Sequence, residues 1–351
     1  MNDVSKKYFP QLDGLRAWAM LFVLIEHWLP EKHILNKYIP GAGWMGVTLF
    51  FVLSGYLIGS ILLKEKYNLE ENNSLTRKSI LLKFYARRTL RIFPIYYLFI
   101  FLLLLLNYPP FIKTILPWLL TYSSNIYANI YGYAQLWPLT HLWTLCVEEQ
   151  FYLIMPWIIL FTPTKFLLRV IFIFIFSGIF FRTVFLTFAI GNQPSALTPS
   201  EFDSFGIGML LGYLRLHKIK ISYQNSIAIF SLLVYIVLST TSYSFKGKKF
   251  LSVLLPSLQL FSVIIINKAC EGFKGVGKLL LQTGLIIYIG KISYGMYIYH
   301  NVIPQLTSFF YNTATLQSEV LFFIYFVELI IIASFSYFVV ERPILRLKKY
   351  L

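Results

Sequence analysis

Apolar runs bounded by charge, Pro or Gly recur along the chain at about residues 12–30, 44–63, 84–107, 147–162, 165–190, 202–216, 225–241, 250–268, 288–312 and 319–340. Each is close to the roughly 20 residues that a helix needs to cross a bilayer. The pattern predicts an all-α integral membrane protein, a bundle of about ten transmembrane helices, with an even span count that puts both termini on one side. Two connections are long. The segment 64–83 holds Glu70, Glu71, Asn72 and Asn73 beside basic residues and reads as a solvated loop or surface helix. The segment 108–146 is aromatic and contains Pro; its apolar stretch Ile112 to Leu120 is too short to cross and is expected to fold back into the outer leaflet as a lid or re-entrant piece.

Composition strengthens this reading. The chain of 351 residues is 57% hydrophobic and 13% charged, whereas an average soluble domain has about 45–50% apolar and about 25% charged residues. A disordered chain would lack the aromatic and branched residues found here. A net charge of +16 would point to nucleic acid in a soluble protein. Its distribution excludes that partner: 24 of the 31 Lys and Arg fall in segments on the side of the termini, against Lys32, Lys37, Lys113, Lys246, Lys248 and Lys249 on the other. That bias makes the terminal side cytoplasmic. Lys246, Lys248 and Lys249 run against it. The run from Leu15 to Leu29 contains Glu26 and His27 and ends without a small-residue cleavage site, which disfavours a cleaved signal peptide. Cys146 and Cys270 fall on opposite faces, so no mutual disulfide is expected, and two cysteines do not make a four-ligand zinc site. The whole chain, 1–351, reads as one transmembrane domain.

Ionisable side chains inside spans are costly and default to functional candidates. Arg16 and His27 are eleven residues apart on the first span, about 16 Å along a helix and on nearly the same face. From spacing alone, His27 reads equally as a pathway-lining group and as a hydrogen-bonded helix contact. Arg87, Arg88 and Arg91 open the third span at the cytoplasmic face. Arg88 and Arg91 share a helix side, a geometry that suits bidentate phosphate or pyrophosphate binding; topology anchoring explains the same cluster. Glu148 and Glu149 follow His141 at the outer start of the fourth span, where helix capping accounts for one acid and leaves the other to act on a proton or an imidazole. Arg182 and Asp203 are expected to pair and hold two helices together. His300 follows Ser293-Tyr-Gly-Met-Tyr-Ile-Tyr, a context for structural hydrogen bonding.

Taken together, these blocks resemble a known family. Gln11-Leu-Asp-Gly-Leu-Arg16-Ala with His27, Phe50-Phe-Val-Leu-Ser54-Gly55-Tyr-Leu-Ile, Arg88-Thr-Leu-Arg91-Ile-Phe-Pro94, Val147-Glu148-Glu149-Gln150-Phe151-Tyr152-Leu, Ser293-Tyr294 to His300 and Glu341-Arg342-Pro343 are similar, in order and over nearly the whole chain, to the acyltransferase 3 family of membrane O-acyltransferases. The resemblance implies a ten-span bundle of the bacterial cytoplasmic (inner) membrane. It moves an acyl group, most often acetyl, from cytoplasmic acyl-CoA to a saccharide hydroxyl on the far side. It implies that His27 is catalytic, with Glu148 at the acidic position of the glutamate block, and that Arg88 and Arg91 serve the acyl donor. The expected substrate-binding set is Asp13, Arg16, Arg88, Arg91, Glu149, Arg182 and Asp203. Acyl-CoA enters as a substrate, with no permanently bound cofactor and no metal. Many members carry a fused extracytoplasmic SGNH-type domain, and none is expected in this sequence. The chain departs from the pattern near Asp203, where an Arg is expected two residues earlier and Glu201 stands instead.

The expected mechanism joins both readings. Arg88 and Arg91 hold CoA phosphates, the pantetheine arm carries the thioester inward, and His27 deprotonates the acceptor hydroxyl or takes the acyl group itself, with Glu148 orienting the imidazole. Lipopolysaccharide O-antigen, capsule, peptidoglycan and lipid-linked or small secreted glycosides all fit as acceptors. The rival reading, a secondary transporter or flippase of an anionic metabolite or saccharide, predicts broken helices repeated in two halves, a pattern the sequence lacks.

Overall fold

The computed structural model describes residues 8–71, 74–242 and 251–351. Expectations resting on Lys6, Lys7, Asn72, Asn73, Lys246, Lys248 and Lys249 lie outside those residues. Among the described residues there are helices and no strands: α1 (Pro10–Trp28), α2 (Ile34–Tyr38), α3 (Ala42–Glu71), α4 (Arg77–Leu105), α5 (Ile112–Leu120), α6 (Ser124–Tyr131), α7 (Leu142–Phe161), α8 (Leu167–Thr187), α9 (Phe202–Leu216), α10 (Gln224–Ser242), α11 (Leu251–Glu271), α12 (Gly275–Gln282), α13 (Gly284–Tyr299), α14 (Ile303–Phe310), α15 (Ser318–Ser336) and, after a π-helical turn at Tyr337–Glu341, α16 (Arg342–Leu345). They form two compact units. The first comprises Met1–Tyr67, Thr162–Ile190 and Pro199–Lys291; the second comprises Asn68–Phe161, Gly191–Thr198 and Ile292–Leu351.

Among the described residues, six helical segments are long and apolar enough to cross a membrane: Ala42–Glu71, Arg77–Leu105, Leu142–Phe161, Thr164–Thr187, Leu254–Glu271 and Ser318–Tyr350. The pair α12 and α13, bent by 47°, adds a seventh if it counts as one span. The other predicted spans fall on α1, which carries Asp13, Arg16 and Glu26, on the 15-residue α9, and on α10. The surface of α8 is inverted relative to a soluble helix. Phe172, Phe176 and Phe180 recur every fourth residue and are exposed, while Arg182 is fully buried. An apolar exterior around a buried charge is the arrangement that lipid selects.

Two predicted segments take a different form. The run 288–312 is divided, because α13 ends at Tyr299 and Pro304 enters the first turn of α14, where a proline fits only as a start. The connection 64–83 is mostly helical. α3 continues to Glu71, and α4 opens at Arg77 on a capping box in which the Thr76 hydroxyl accepts from the Ser79 amide at 3.1 Å and the Ser79 hydroxyl accepts from the Thr76 amide.

In the first unit, Pro10 starts α1 and the extended Leu29 before Pro30 ends it. Gly14 lets this helix lie against the Leu281 carbonyl, which a Cβ would overlap, and Gly290 does the same for the Asp13 carbonyl. The Gln11 side chain accepts from the Phe273 amide at 2.8 Å and donates to its carbonyl at 3.1 Å, and the Trp18 indole donates to Leu280 O at 2.9 Å. The motif around Asp13 and Arg16 is thereby seated on rigid backbone. In the second unit, α4 packs on α5 and α7, and the C-terminal π turn and α16 pack on α4.

Candidate active site

In the first unit, Asp13 is buried and accepts two hydrogen bonds, from Arg16 Nη1 at 2.7 Å and from the Tyr8 hydroxyl at 2.7 Å. Arg16 is half-buried, its guanidinium held by the Asp13 carboxylate. His27 lies on the same helix in the last turn and is exposed. Beside it the Glu26 carboxylate accepts from the Gly43 amide at 3.4 Å. An exposed imidazole at a helix end is a group that a substrate can reach, and one whose removal leaves no cavity.

Arg182 and Asp203 form the expected ion pair, with both side chains fully buried. Arg182 Nη1 donates to Asp203 Oδ1 at 3.0 Å and to the Ser200 carbonyl at 2.7 Å, and Nη2 donates to Asp203 Oδ2. This is a fork-to-fork pair that ties α8 to the start of α9. Ser204 extends the network: its amide donates to Asp203 Oδ1, its hydroxyl donates to Glu201 Oε2, and it accepts from Gln259 Nε2, each at 2.9 Å. Burial holds the Glu201 carboxyl above the usual carboxylate range, against the pull of Arg182. The residue that departs from the family pattern is therefore part of a buried polar cluster.

In the second unit, α4 carries Arg87, Arg88 and Arg91. The Arg88 guanidinium sits over the Tyr152 ring at 5.6 Å and the Phe84 ring at 5.7 Å, and the Tyr152 hydroxyl donates to Glu148 Oε2 at 3.2 Å. Arg91, Glu148 and Glu149 lie within electrostatic reach of Arg88. The C-terminal segment adds two groups that sequence reasoning did not assign. Glu341, turned inward by the π turn, is in reach of Arg91, and Lys348 is in reach of Arg87, Arg88 and Arg91. Three arginines and a lysine within reach of one another, with Arg88 on two aromatic faces, suit a polyanion with several phosphates. Glu341 had a signal in the Glu-Arg-Pro block; Lys348 had none beyond its charge.

Capping does not explain either glutamate of the pair in α7. The helix begins at Leu142, five residues earlier than the predicted span, so Glu148 and Glu149 lie beyond its first turn and outside the strong part of the helix dipole. Glu148 is bonded to Tyr152, whereas Glu149 Oε1 is enclosed without a hydrogen-bond partner. His300 is fully buried, its Nδ1 2.7 Å from the Tyr297 carbonyl, and its ring lies 4.7 Å from that of His141, whose Nε2 is 3.0 Å from the Ile298 carbonyl. Both contacts are to backbone, as expected for a structural role. Cys146 and Cys270 are both buried free thiols. Among the described residues no three His, Cys, Asp or Glu side chains gather as a metal site requires.

Comparison with known proteins gives these groups a context. O-acetyltransferase OatA of Staphylococcus aureus strain NCTC 8325 / PS 47 is 29% identical over 372 residues, covering 97% of this chain and 58% of that protein. A putative O-acetyltransferase of Staphylococcus aureus strain COL is 27% identical over 370 residues, covering 96% of this chain and 57% of its own length. The chain thus spans somewhat over half the length of these curated relatives. No solved structure matches it. A family model described as an acyltransferase domain matches residues 9–339, nearly the whole chain, and the chain belongs to the acyltransferase 3 family.

Proposed function

We propose that this chain is a multi-pass O-acyltransferase of the bacterial cytoplasmic membrane, transferring an acyl group, acetyl foremost, from cytoplasmic acyl-CoA to a hydroxyl of a cell-surface or lipid-linked saccharide. The observation that carries the donor half is the cation cluster of the second unit. Arg88 on two aromatic rings, with Arg91, Arg87 and Lys348 in reach, offers planar forks and a point charge to a ligand bearing several phosphates. The acyl half rests on family membership and on relatives named O-acetyltransferase. In this reading Arg88 and Arg91 bind the CoA phosphates. His27 either removes the proton of the acceptor hydroxyl as it attacks the thioester carbonyl, with CoA thiolate leaving, or takes the acyl group first and passes it on. The reading takes about ten spans with both termini inside, a sidedness that the charge distribution supports, with α1, α9 and α10 as crossings beyond the six long apolar segments and the bent pair of α12 and α13.

The purified chain in detergent, given acetyl-CoA and a saccharide acceptor, is expected to release free CoA and form an acetyl ester. His27→Ala is expected to abolish transfer while leaving thermal stability at the wild-type value, because the imidazole is exposed and its loss opens no cavity. Wild-type transfer by a folded His27→Ala protein removes His27 from the chemistry. Absence of any CoA-dependent acetyl transfer by the wild type removes the proposal.

A further inference from the structure

Tyr122, in the connection between α5 and α6, combines three features that a merely structural tyrosine avoids. Its backbone is left-handed, with φ of 51°, a region that favours glycine and is sparsely used by residues with large side chains. Its ring is fixed by aromatic side chains of α4: stacked on Tyr96 with centroids 4.1 Å apart, stacked on Phe93 at 5.6 Å, and edge-on to Tyr97 at 5.9 Å. Its carbonyl accepts from Gln150 Nε2 at 2.8 Å, which fastens the strained residue to α7. Backbone and ring are thus over-determined, as strained residues at ligand sites are. The end of this rigid assembly is left unsatisfied. The Tyr122 hydroxyl is buried and has no hydrogen-bond partner.

The same unit holds a complementary orphan. Glu149 Oε1, next in sequence to Gln150, is enclosed and unpartnered, and Glu149 lies within electrostatic reach of Tyr122 and of Arg88. Desolvated and unpaired polar atoms are costly, and here a donor and an acceptor lie within electrostatic reach of each other, the acceptor also in reach of Arg88. A secondary amide matches this pair, because its carbonyl accepts from a phenol while its N–H, on the opposite edge, donates to a carboxyl oxygen. The pantetheine arm of CoA carries two such amides on a flexible apolar chain that begins at the phosphates.

We propose that the Tyr122 hydroxyl and Glu149 Oε1 hold an amide of the donor's pantetheine arm, extending the donor site beyond the Arg88 cluster within the second unit. The inference rests on the donor reading above and is tested separately from it. Binding of CoA and of 3′-phospho-ADP, which has the same phosphates without the arm, is measured by calorimetry on the full chain in detergent. Tyr122→Phe keeps the ring stack and deletes only the hydroxyl. It is expected to weaken CoA about tenfold, the worth of one net hydrogen bond, and to leave 3′-phospho-ADP unchanged. Because the hydroxyl has no internal partner, the unliganded Tyr122→Phe protein is expected to unfold at the wild-type temperature or above. An equal change for both ligands, an unchanged CoA affinity, or a lower unfolding temperature without ligand overturns the assignment while the donor reading stands. If the wild type binds neither ligand, both fall together.

Discussion

Arg182 in the first unit grips both oxygens of Asp203 and the Ser200 carbonyl with no exposed surface, whereas Arg88 in the second unit rests on two aromatic rings beside Arg91, Arg87 and Lys348. Both are arginines within membrane-length helices. The first has its charge matched by one carboxylate in bidentate geometry and a further Nη1 bond to a backbone carbonyl, which suits a charge that serves as helix-to-helix glue. The second shares its surroundings: of the acids in its reach, Glu148 and Glu149, the first is also bonded by Tyr152, and Arg91 adds a like charge beside it. A matched pair stabilises the fold, while gathered like charges cost stability and persist where a ligand neutralises them. Both units keep buried polar atoms without a partner, Arg182 Nε and Glu201 Oε1 beside the matched pair and the Tyr122 hydroxyl and Glu149 Oε1 in the unit of the gathered cations, so the contrast lies in how charge is matched.

The contrast is broken most directly at the matched pair. Arg182→Ala or Asp203→Ala leaves one buried charge uncompensated, and a loss of about 3–5 kcal/mol is expected. It is read as a fall in the detergent unfolding temperature and in folded yield, with donor affinity unchanged per folded molecule. A folded, fully stable Arg182→Ala protein with impaired substrate use would move this pair from structure to function. The double variant Arg88→Lys, Arg91→Lys keeps both charges and loses both planar forks. It is expected to stay within about 1 kcal/mol of wild-type stability while CoA binds at least about tenfold more weakly, the cost of about one charge-assisted hydrogen bond. Unchanged CoA affinity in that variant would reduce the cluster to a topology anchor.

The smallest effect sharpens the contrast inside the first unit. Burial raises the Glu201 carboxyl above its ordinary range, so the folded state holds a proton that the unfolded chain releases at lower pH. The stabilisation from this group is therefore present at acidic pH and is lost as pH rises through the window above the ordinary carboxylate value. Glu201→Gln, which imitates the protonated form, is expected to flatten that decline when unfolding temperature is followed from about pH 5 to about pH 8. Parallel curves for wild type and variant would mean that Glu201 is charged in the folded state.

How far sequence reasoning reached differs from residue to residue. Arg182 and Asp203 were paired from chemistry alone, since two opposite charges in spans have few ways to be satisfied. The short apolar stretch Ile112 to Leu120 was bounded by length, and it forms a helix over those residues. The glutamate pair was placed at a helix start that lies further upstream, because Leu142, Trp143 and Leu145 continue the helix although a charge-bounded run hides them. The break between α13 and α14 was missed because apolar residues surround Pro304 on both sides and hydropathy averages over it. Tyr122 carried no signal, one tyrosine among 25.

What the sequence by itself determined is whatever depends on a residue's own environment in lipid. Backbone groups in hydrocarbon must be satisfied within a helix, so apolar runs of sufficient length become helices whatever they pack against, and Lys and Arg bias the side on which their segments lie. The tertiary structure decided everything that requires two distant segments to share an orientation about their axes: Gly14 against the Leu281 carbonyl, Ser204 joined to Glu201 and Gln259, Lys348 brought to the α4 arginines, and a Tyr122 hydroxyl enclosed without a partner. Helix rotation is set by packing summed over many weak contacts, and no single residue along the chain encodes that sum.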